Sequence, residues 1–171
     1  MSKALWFLAV GIVALVFQVT LRHLGIPESF VPQIMVLLVV SLAFSEVNAF
    51  GCFMAFGLGL LLDLSSATLI GPWAGAFVVV FGALAVVSQR LFIDSSVASI
   101  VISFLAVTIT DLLYLAMGAE YPIITWDLPR KIAGHAFITA LIAPAFLGFL
   151  SRRARVRSLG AIGRGSVGTA V

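Results

Sequence analysis

Six long apolar runs follow one another along this chain, and short polar, glycine- or proline-containing connections separate them. Hydrophobic residues make up 62% of the sequence and charged residues 10%. Soluble domains average roughly 45 to 50% apolar and about 25% charged residues. A second globular domain would need a polar segment of about 50 residues, and the chain has none. The sequence therefore predicts an all-α integral membrane protein that forms one bundle of transmembrane helices.

The boundaries of the runs predict six helices, over residues 4–21, 30–45, 49–64, 71–88, 97–117 and 132–150. The second and third runs have about sixteen residues each, or about 24 Å of helix, whereas the hydrocarbon core of a bilayer is about 30 Å thick. Either the bilayer thins beside these two short helices, or longer helices surround them. Residues 1–151 are predicted as a single transmembrane domain, and residues 152–171 as a basic, glycine-rich, disordered cytoplasmic tail.

The positive charges predict the orientation of the bundle. Six spans place both termini on one side of the membrane, and seven of the ten Lys and Arg residues then lie on that side. The other three are Arg22, Arg130 and Lys131. The positive-inside rule favours both termini in the cytoplasm. The tail arginines are accordingly interpreted as a topology signal and a contact to anionic lipid, not as a nucleic-acid site.

An acid, Asp63, lies at the end of the third apolar run, and Gly71 begins the fourth. An Asp at the centre of a membrane helix costs roughly 2.5 to 3.5 kcal/mol, so such an acid usually faces the bundle interior and has a partner. Gly51, Ala55, Gly59 and Asp63 recur every four residues, which forms a stripe of small residues that ends in the acid. Small-residue stripes let helix backbones approach closely. The pattern predicts that Asp63 points into a helix contact and not into lipid.

A second acid, Asp111, lies well inside the fifth run, and His135 lies early in the sixth. In the predicted topology, Asp63, Asp111 and His135 all fall in the outer half of the membrane. We hypothesise that the two acids lie near a shared polar pocket, with His135, Arg130 or Lys131 as candidate partners, because buried acids need partners.

Motifs of enzymes and of metal sites are absent from the sequence. It contains no HExxH, no paired cysteine motif and no phosphate-binding loop. Two separated acids and one imidazole form a weak set of metal ligands. The sequence therefore predicts a protein that is not an enzyme and that carries no metal and no cofactor.

Four segments of the chain together resemble the MreD family, the rod shape-determining membrane proteins of bacteria. They are Pro32-Gln33, the block from Gly57 to Gly71, Thr110-Asp111-Leu112-Leu113, and Pro144 in a last run that ends in arginines. The G-x-x-x-D-x-x-x-x-x-x-x-G spacing from Gly59 to Gly71 is the most specific of these. Family members often carry Asp or Asn where this chain has Gln33, and Asn where Thr139 aligns. The resemblance therefore places little functional weight on these two positions.

The resemblance implies a non-enzymatic scaffold in the bacterial inner membrane that takes part in cell elongation and the regulation of peptidoglycan synthesis. Its implied partners are the bitopic MreC, the actin-like MreB, RodZ, the glycosyltransferase RodA and the transpeptidase that accompanies RodA. The bundle would receive the single membrane helix of an MreC-type protein through the small-residue stripe and the polar residues around Asp63.

Proteins like MreD are also similar to the substrate-binding membrane subunits of energy-coupling-factor vitamin transporters, which have a six-helix architecture. The alternative function is therefore that of a substrate-capture subunit. In that case the acids in the outer half of the membrane would line a ligand pocket, and the Gly51 to Gly59 stripe would contact a coupling subunit.

Overall fold

The computed structural model describes residues 3–25, 27, 30–66, 70–88, 96–117 and 127–165, and the side chains of all these except residues 3, 96, 127 and 151–165. The described part of the chain consists of six helices and the short segments that connect them. Its six helices are α1 (Lys3–His23), α2 (Ile34–Ser45), α3 (Ala49–Ser66), α4 (Pro72–Ser88), α5 (Ser96–Met117) and α6 (Asp127–Gly165). Each helix overlaps one predicted apolar run, so the prediction of an all-α chain is confirmed for these residues.

Four of the helices in this part of the chain are long and apolar enough to cross a membrane, namely α1, α3, α5 and α6. The protein is therefore a multi-pass membrane protein. The shorter apolar helices are α2, with 12 residues, and α4, with 17. The prediction that α2 and α3 form the short pair was thus wrong for α3. Helix α3 continues through Ser65 and Ser66, whose hydroxyls donate to the carbonyls of Leu62 and Asp63.

The short helix α2 forms the centre of the bundle and contacts each of the other five helices. Its residues from Met35 to Val40 are at most 1% exposed. Either lipid or other helices can cover a helix that is apolar on all sides, and burial this complete shows that other helices of the bundle cover α2. Of the two explanations for a short helix, enclosure by longer helices therefore applies to α2.

Helices α3 and α4 form an antiparallel pair whose backbones approach very closely at Gly59. A Cβ atom on Gly59 would lie 2.5 Å from the Cα atom of Ala74 and 2.7 Å from the carbonyl oxygen of Trp73. A Cβ atom on Gly51 would lie 2.7 Å from the Phe81 ring. Since Ala55 is also fully buried, the small-residue stripe packs inside the fold.

Helix α6 is longer than predicted at both ends. It begins at Asp127, five residues before the predicted run, and continues to Gly165. The structure therefore describes residues 152–165 as helix, whereas the sequence analysis places them in a disordered tail. Residues 152–159 contain no glycine, and six of the eight are good helix formers, namely four arginines, one alanine and one leucine. The remaining tail residues, 166–171, lie outside the described part.

Candidate functional site

Asp63 is 1% exposed, and both oxygens of its side chain bind backbone amides at the beginning of α4. The Oδ2 atom accepts hydrogen bonds from the N–H groups of Gly71, at 3.0 Å, and Ala74, at 3.1 Å. The Oδ1 atom accepts one from the N–H group of Trp73, at 3.1 Å. Asp63 therefore caps α4 from a neighbouring helix.

The first N–H groups of any helix have no acceptor within the helix, and Asp63 supplies acceptors for those of α4. Pro72 has no N–H group, so Gly71, Trp73 and Ala74 supply the donors around it. An acidic side chain also interacts favourably with the positive end of the helix dipole. Gly71 has a φ angle of 125°, which side chains other than glycine rarely allow.

The spacing from Gly59 to Gly71 thus has a physical explanation. Gly59 lets the two backbones meet, Asp63 then lies beside the beginning of α4, and Gly71 turns the chain so that its N–H group faces the acid. The three residues form one structural unit, which we call the α3–α4 cap.

The second acid, Asp111, is 7% exposed and has different partners. Its Oδ1 atom accepts a hydrogen bond from the side-chain amide of Gln33, at 2.7 Å. Its Oδ2 atom is buried and has no hydrogen-bond partner among the described residues. This oxygen lies 3.7 Å from the Nδ1 atom of His135, and the same ring nitrogen lies 3.4 Å from the Gln33 amide nitrogen.

Gln33 links three helices through these contacts. It precedes the first residue of α2, and its side chain binds Asp111 of α5. Its backbone N–H group donates to the Thr139 hydroxyl of α6, at 2.9 Å, and Thr139 is fully buried. We call Gln33, Asp111, His135 and Thr139 the Gln33 cluster.

Sequence reasoning missed two members of this cluster, Gln33 and Thr139, because the resemblance assigned them little weight. The signal that could have found them is the polarity of the side chains themselves. A polar group within an apolar run is costly unless it is hydrogen-bonded, so each of these residues needs a partner on another element or in its own backbone.

The three candidate partners of the acids lie in two different parts of the structure. His135 lies beside Asp111, within the Gln33 cluster. Arg130 and Lys131 are exposed, and they line a groove with Phe30 on the outside of the bundle. Arg130 and Lys131 therefore do not line the internal cavity described next, which lies among the residues that are bonded to the two acids.

A cavity of about 240 Å³ lies between the α3–α4 cap and the Gln33 cluster. Trp73, whose amide binds Asp63, lines it, and its indole stacks on the ring of Tyr114 at 4.3 Å. Gln33 and His135 line it from the side of Asp111. The two acids thus have separate partners, and those partners surround a common cavity.

Amide oxygens of two glutamines in the cavity wall have no partner among the described residues. The Nε2 atom of Gln18 donates to the Pro32 carbonyl, at 2.9 Å, and its Oε1 atom is buried and unpaired. The Oε1 atom of Gln33 is also buried and unpaired. Buried polar atoms are normally satisfied, so each of these two oxygens could accept a hydrogen bond from a group that reached it.

The part of the chain that the structure describes contains no group of three or more His, Cys, Asp or Glu residues arranged to hold a metal ion.

The small-residue stripe is not available to a partner. Gly51, Ala55 and Gly59 are buried, and α4 occupies the surface that they form. Docking of an outside helix or of a coupling subunit on this stripe, which the sequence predicts for the two candidate functions, is incompatible with the observed packing.

No family model, curated protein or solved structure matches this chain.

Proposed function

We propose that this protein is a non-enzymatic scaffold of the bacterial cell-elongation machinery that binds an MreC-type bitopic protein in the cytoplasmic membrane, with both of its own termini in the cytoplasm. The observation that carries the proposal is the α3–α4 cap. The residue spacing that most specifically resembles MreD, from Gly59 to Gly71, builds a complete structural unit.

The cap favours a scaffold because three backbone N–H groups occupy both oxygens of Asp63. An acid held in this way orients a helix, and proton transfer or metal binding by the same oxygens would break the cap. A rigid α3–α4 pair gives the bundle a fixed outer shape, which is the property a scaffold needs to present one surface to a partner.

A partner's membrane helix would contact a lipid-facing surface of the bundle. Four such surfaces can each be identified by a large apolar side chain that is more than 60% exposed. These side chains are Val13 on α1, Phe53 on α3, Val86 on α4 and Phe137 on α6. Association of membrane helices relies on close packing, so we expect the partner to cover one of these surfaces and leave the others free.

Affinity purification in mild detergent from native membranes tests the proposal. We expect an MreC-type protein in stoichiometric yield, together with MreB, RodZ, RodA and the transpeptidase that accompanies RodA. Purification of the folded protein without any of these proteins would contradict the proposal.

Cysteine cross-linking then locates the contact surface. After Cys52→Ser removes the native thiol, single cysteines at Val13, Phe53, Val86 and Phe137 report on the four surfaces. We expect a cross-link to the partner's membrane helix from one surface. A cysteine at the fully buried Val39 is the negative control.

A substrate-capture subunit of an energy-coupling-factor transporter is the second candidate. The cavity favours it, because it has a volume of about 240 Å³ and polar side chains, Gln18, Gln33 and His135 among them, line it. In this case the same purification would yield paired ATP-binding-cassette ATPases and a transmembrane coupling subunit. Small-molecule mass spectrometry of the purified protein would detect the ligand.

A further inference from the structure

Two cations stand at one end of an apolar groove on the outside of the bundle. Arg130 and Lys131 are exposed in the first turns of α6, and with Phe30, Phe137 and Ile138 they line a groove of about 420 Å³. The candidate membrane span of α6 begins at Leu128. The cations therefore lie at the level where the hydrocarbon core meets the lipid headgroups.

A wholly apolar groove of about 220 Å³ continues from the first one along α6. Phe137, which is 65% exposed, belongs to both grooves, and Leu141 and Phe104 line the second. Residues 130, 134, 137 and 141 share one face of an α-helix. The surface therefore has charge at one end and only apolar side chains below it.

The length of this face matches one leaflet of a bilayer. Arg130 and Leu141 are eleven residues apart, which is about 16 Å along a helix. Half of a hydrocarbon core about 30 Å thick is about 15 Å. An acyl chain that begins at the level of the cations would therefore lie along the face to the middle of the membrane.

Among the described residues that line the groove, the charged ones are Arg130 and Lys131, and both are positive. An arginine can bind a phosphate through two parallel N–H donors, and a lysine adds a second positive charge beside it. Juxtamembrane cations attract anionic lipids in this way.

We propose that Arg130, Lys131 and the α6 face below them form a binding site for one anionic phospholipid, with its phosphate on the two cations and an acyl chain along Phe137 and Leu141. This site is distinct from the polar cavity inside the bundle and does not depend on the proposed scaffold function.

Native mass spectrometry of the full-length protein in neutral detergent tests the proposal, with phosphatidylglycerol and phosphatidylcholine as probes. We expect one phosphatidylglycerol to be retained per protein and phosphatidylcholine to be lost. The double variant Arg130→Gln/Lys131→Gln should weaken phosphatidylglycerol binding by roughly tenfold to thirtyfold, since two headgroup-level charges are removed. Arg22→Gln is the matched control, because Arg22 is an exposed cation at the end of α1 that does not line the groove.

Two further measurements separate a site from general attraction to a charged surface. A photoactivatable phosphatidylglycerol should label the α6 peptide that contains Phe137, and Phe137→Ala should lower both the labelling and the retention. Lys131→Arg should retain binding because it preserves the charge. Equal retention of both lipids by the wild type, or equal loss of phosphatidylglycerol in Arg22→Gln and in the double variant, would overturn the proposal.

Discussion

The two buried acids of this bundle differ in how completely their neighbours satisfy them. Asp63 accepts three hydrogen bonds from backbone N–H groups at the beginning of α4. Asp111 accepts one from the Gln33 side chain, and its second oxygen accepts no hydrogen bond from the described residues. The donors of Asp63 belong to the backbone, whereas the neighbours of Asp111, Gln33 and His135, are side chains with several rotamers.

This difference separates two roles of an acid inside a membrane protein. Backbone donors at a helix terminus have one fixed arrangement, so Asp63 holds α3 and α4 in one geometry. Side-chain donors can rearrange, so the Gln33 cluster can form new contacts after a substitution. We therefore expect a given substitution to lower stability more at Asp63 than at Asp111.

The largest effect is expected for Asp63→Ala, which leaves three N–H groups of α4 without their acceptor. Hydrogen bonds to a carboxylate contribute about 1.5 to 3 kcal/mol each and are not additive, so we expect a loss of about 3 to 5 kcal/mol. Unfolding of the purified protein in mixed micelles measures it, with the adjacent Trp73 as a fluorescence reporter. Leu64→Ala is the matched control, because Leu64 is 62% exposed and should change stability little.

A smaller loss, about 2 to 3 kcal/mol, is expected for Gly59→Ala, because the new methyl group would meet the backbone of Ala74 and Trp73. Gly57→Ala in the same helix is the control. A Cβ atom on Gly57 meets nothing within 4 Å, so this change should be neutral or stabilising by up to about 1 kcal/mol. Equal effects of the two substitutions would show that α3 and α4 do not meet at Gly59.

Gln33→Leu is expected to cost about 1 to 3 kcal/mol, because it removes the donor to a buried oxygen of Asp111. The backbone bond from Gln33 to Thr139 remains. A double-mutant cycle with Asp111→Leu measures the coupling, and the double variant should lose less stability than the sum of the two single variants. Additive losses would mean that the two side chains do not interact.

The smallest effect is expected for Asp111→Asn, below about 1 kcal/mol, because the amide oxygen can still accept from Gln33. The amide nitrogen replaces an oxygen that accepts no hydrogen bond from the described residues and lies 3.7 Å from the Nδ1 atom of His135. The same Asp→Asn change at Asp63 places an N–H donor against backbone donors and should cost about 2 kcal/mol or more. Comparable losses for the two substitutions, measured in the same micelles, would remove the distinction between the acids.

Much of the fold follows from the sequence, because lipid leaves few alternatives to a helix for an apolar run. The limits of α3 and α4 agree with the predicted runs to within two residues. Those of α6 were harder to predict, since it begins five residues before its apolar run and continues fifteen residues beyond it. Both extensions contain polar and charged residues, and hydrophobicity alone does not show whether such residues are helical.

The sites were predictable only in part. Periodicity indicated that Gly51, Ala55, Gly59 and Asp63 share a face, but it could not tell a neighbouring helix of the same chain from a helix of another protein. The sequence predicted His135, Arg130 or Lys131 as partners of the acids. Instead, backbone N–H groups bind Asp63 and the Gln33 amide binds Asp111, with His135 3.7 Å from the second oxygen of Asp111. A sequence pattern shows neither which backbone N–H groups lack a partner nor which amide side chain lies beside a given acid. It could therefore predict neither arrangement.

Hydrogen exchange at the beginning of α4 tests the central claim most directly, namely that Asp63 caps this helix. Mass spectrometry of peptides that contain Gly71, Trp73 and Ala74 would compare the wild type with Asp63→Asn under conditions where both are folded. The cap predicts strong protection in the wild type and exchange at least roughly tenfold faster in the variant, since loss of about 1.4 kcal/mol of local stability changes an opening equilibrium tenfold. Unchanged protection of these amides in Asp63→Asn would contradict the account.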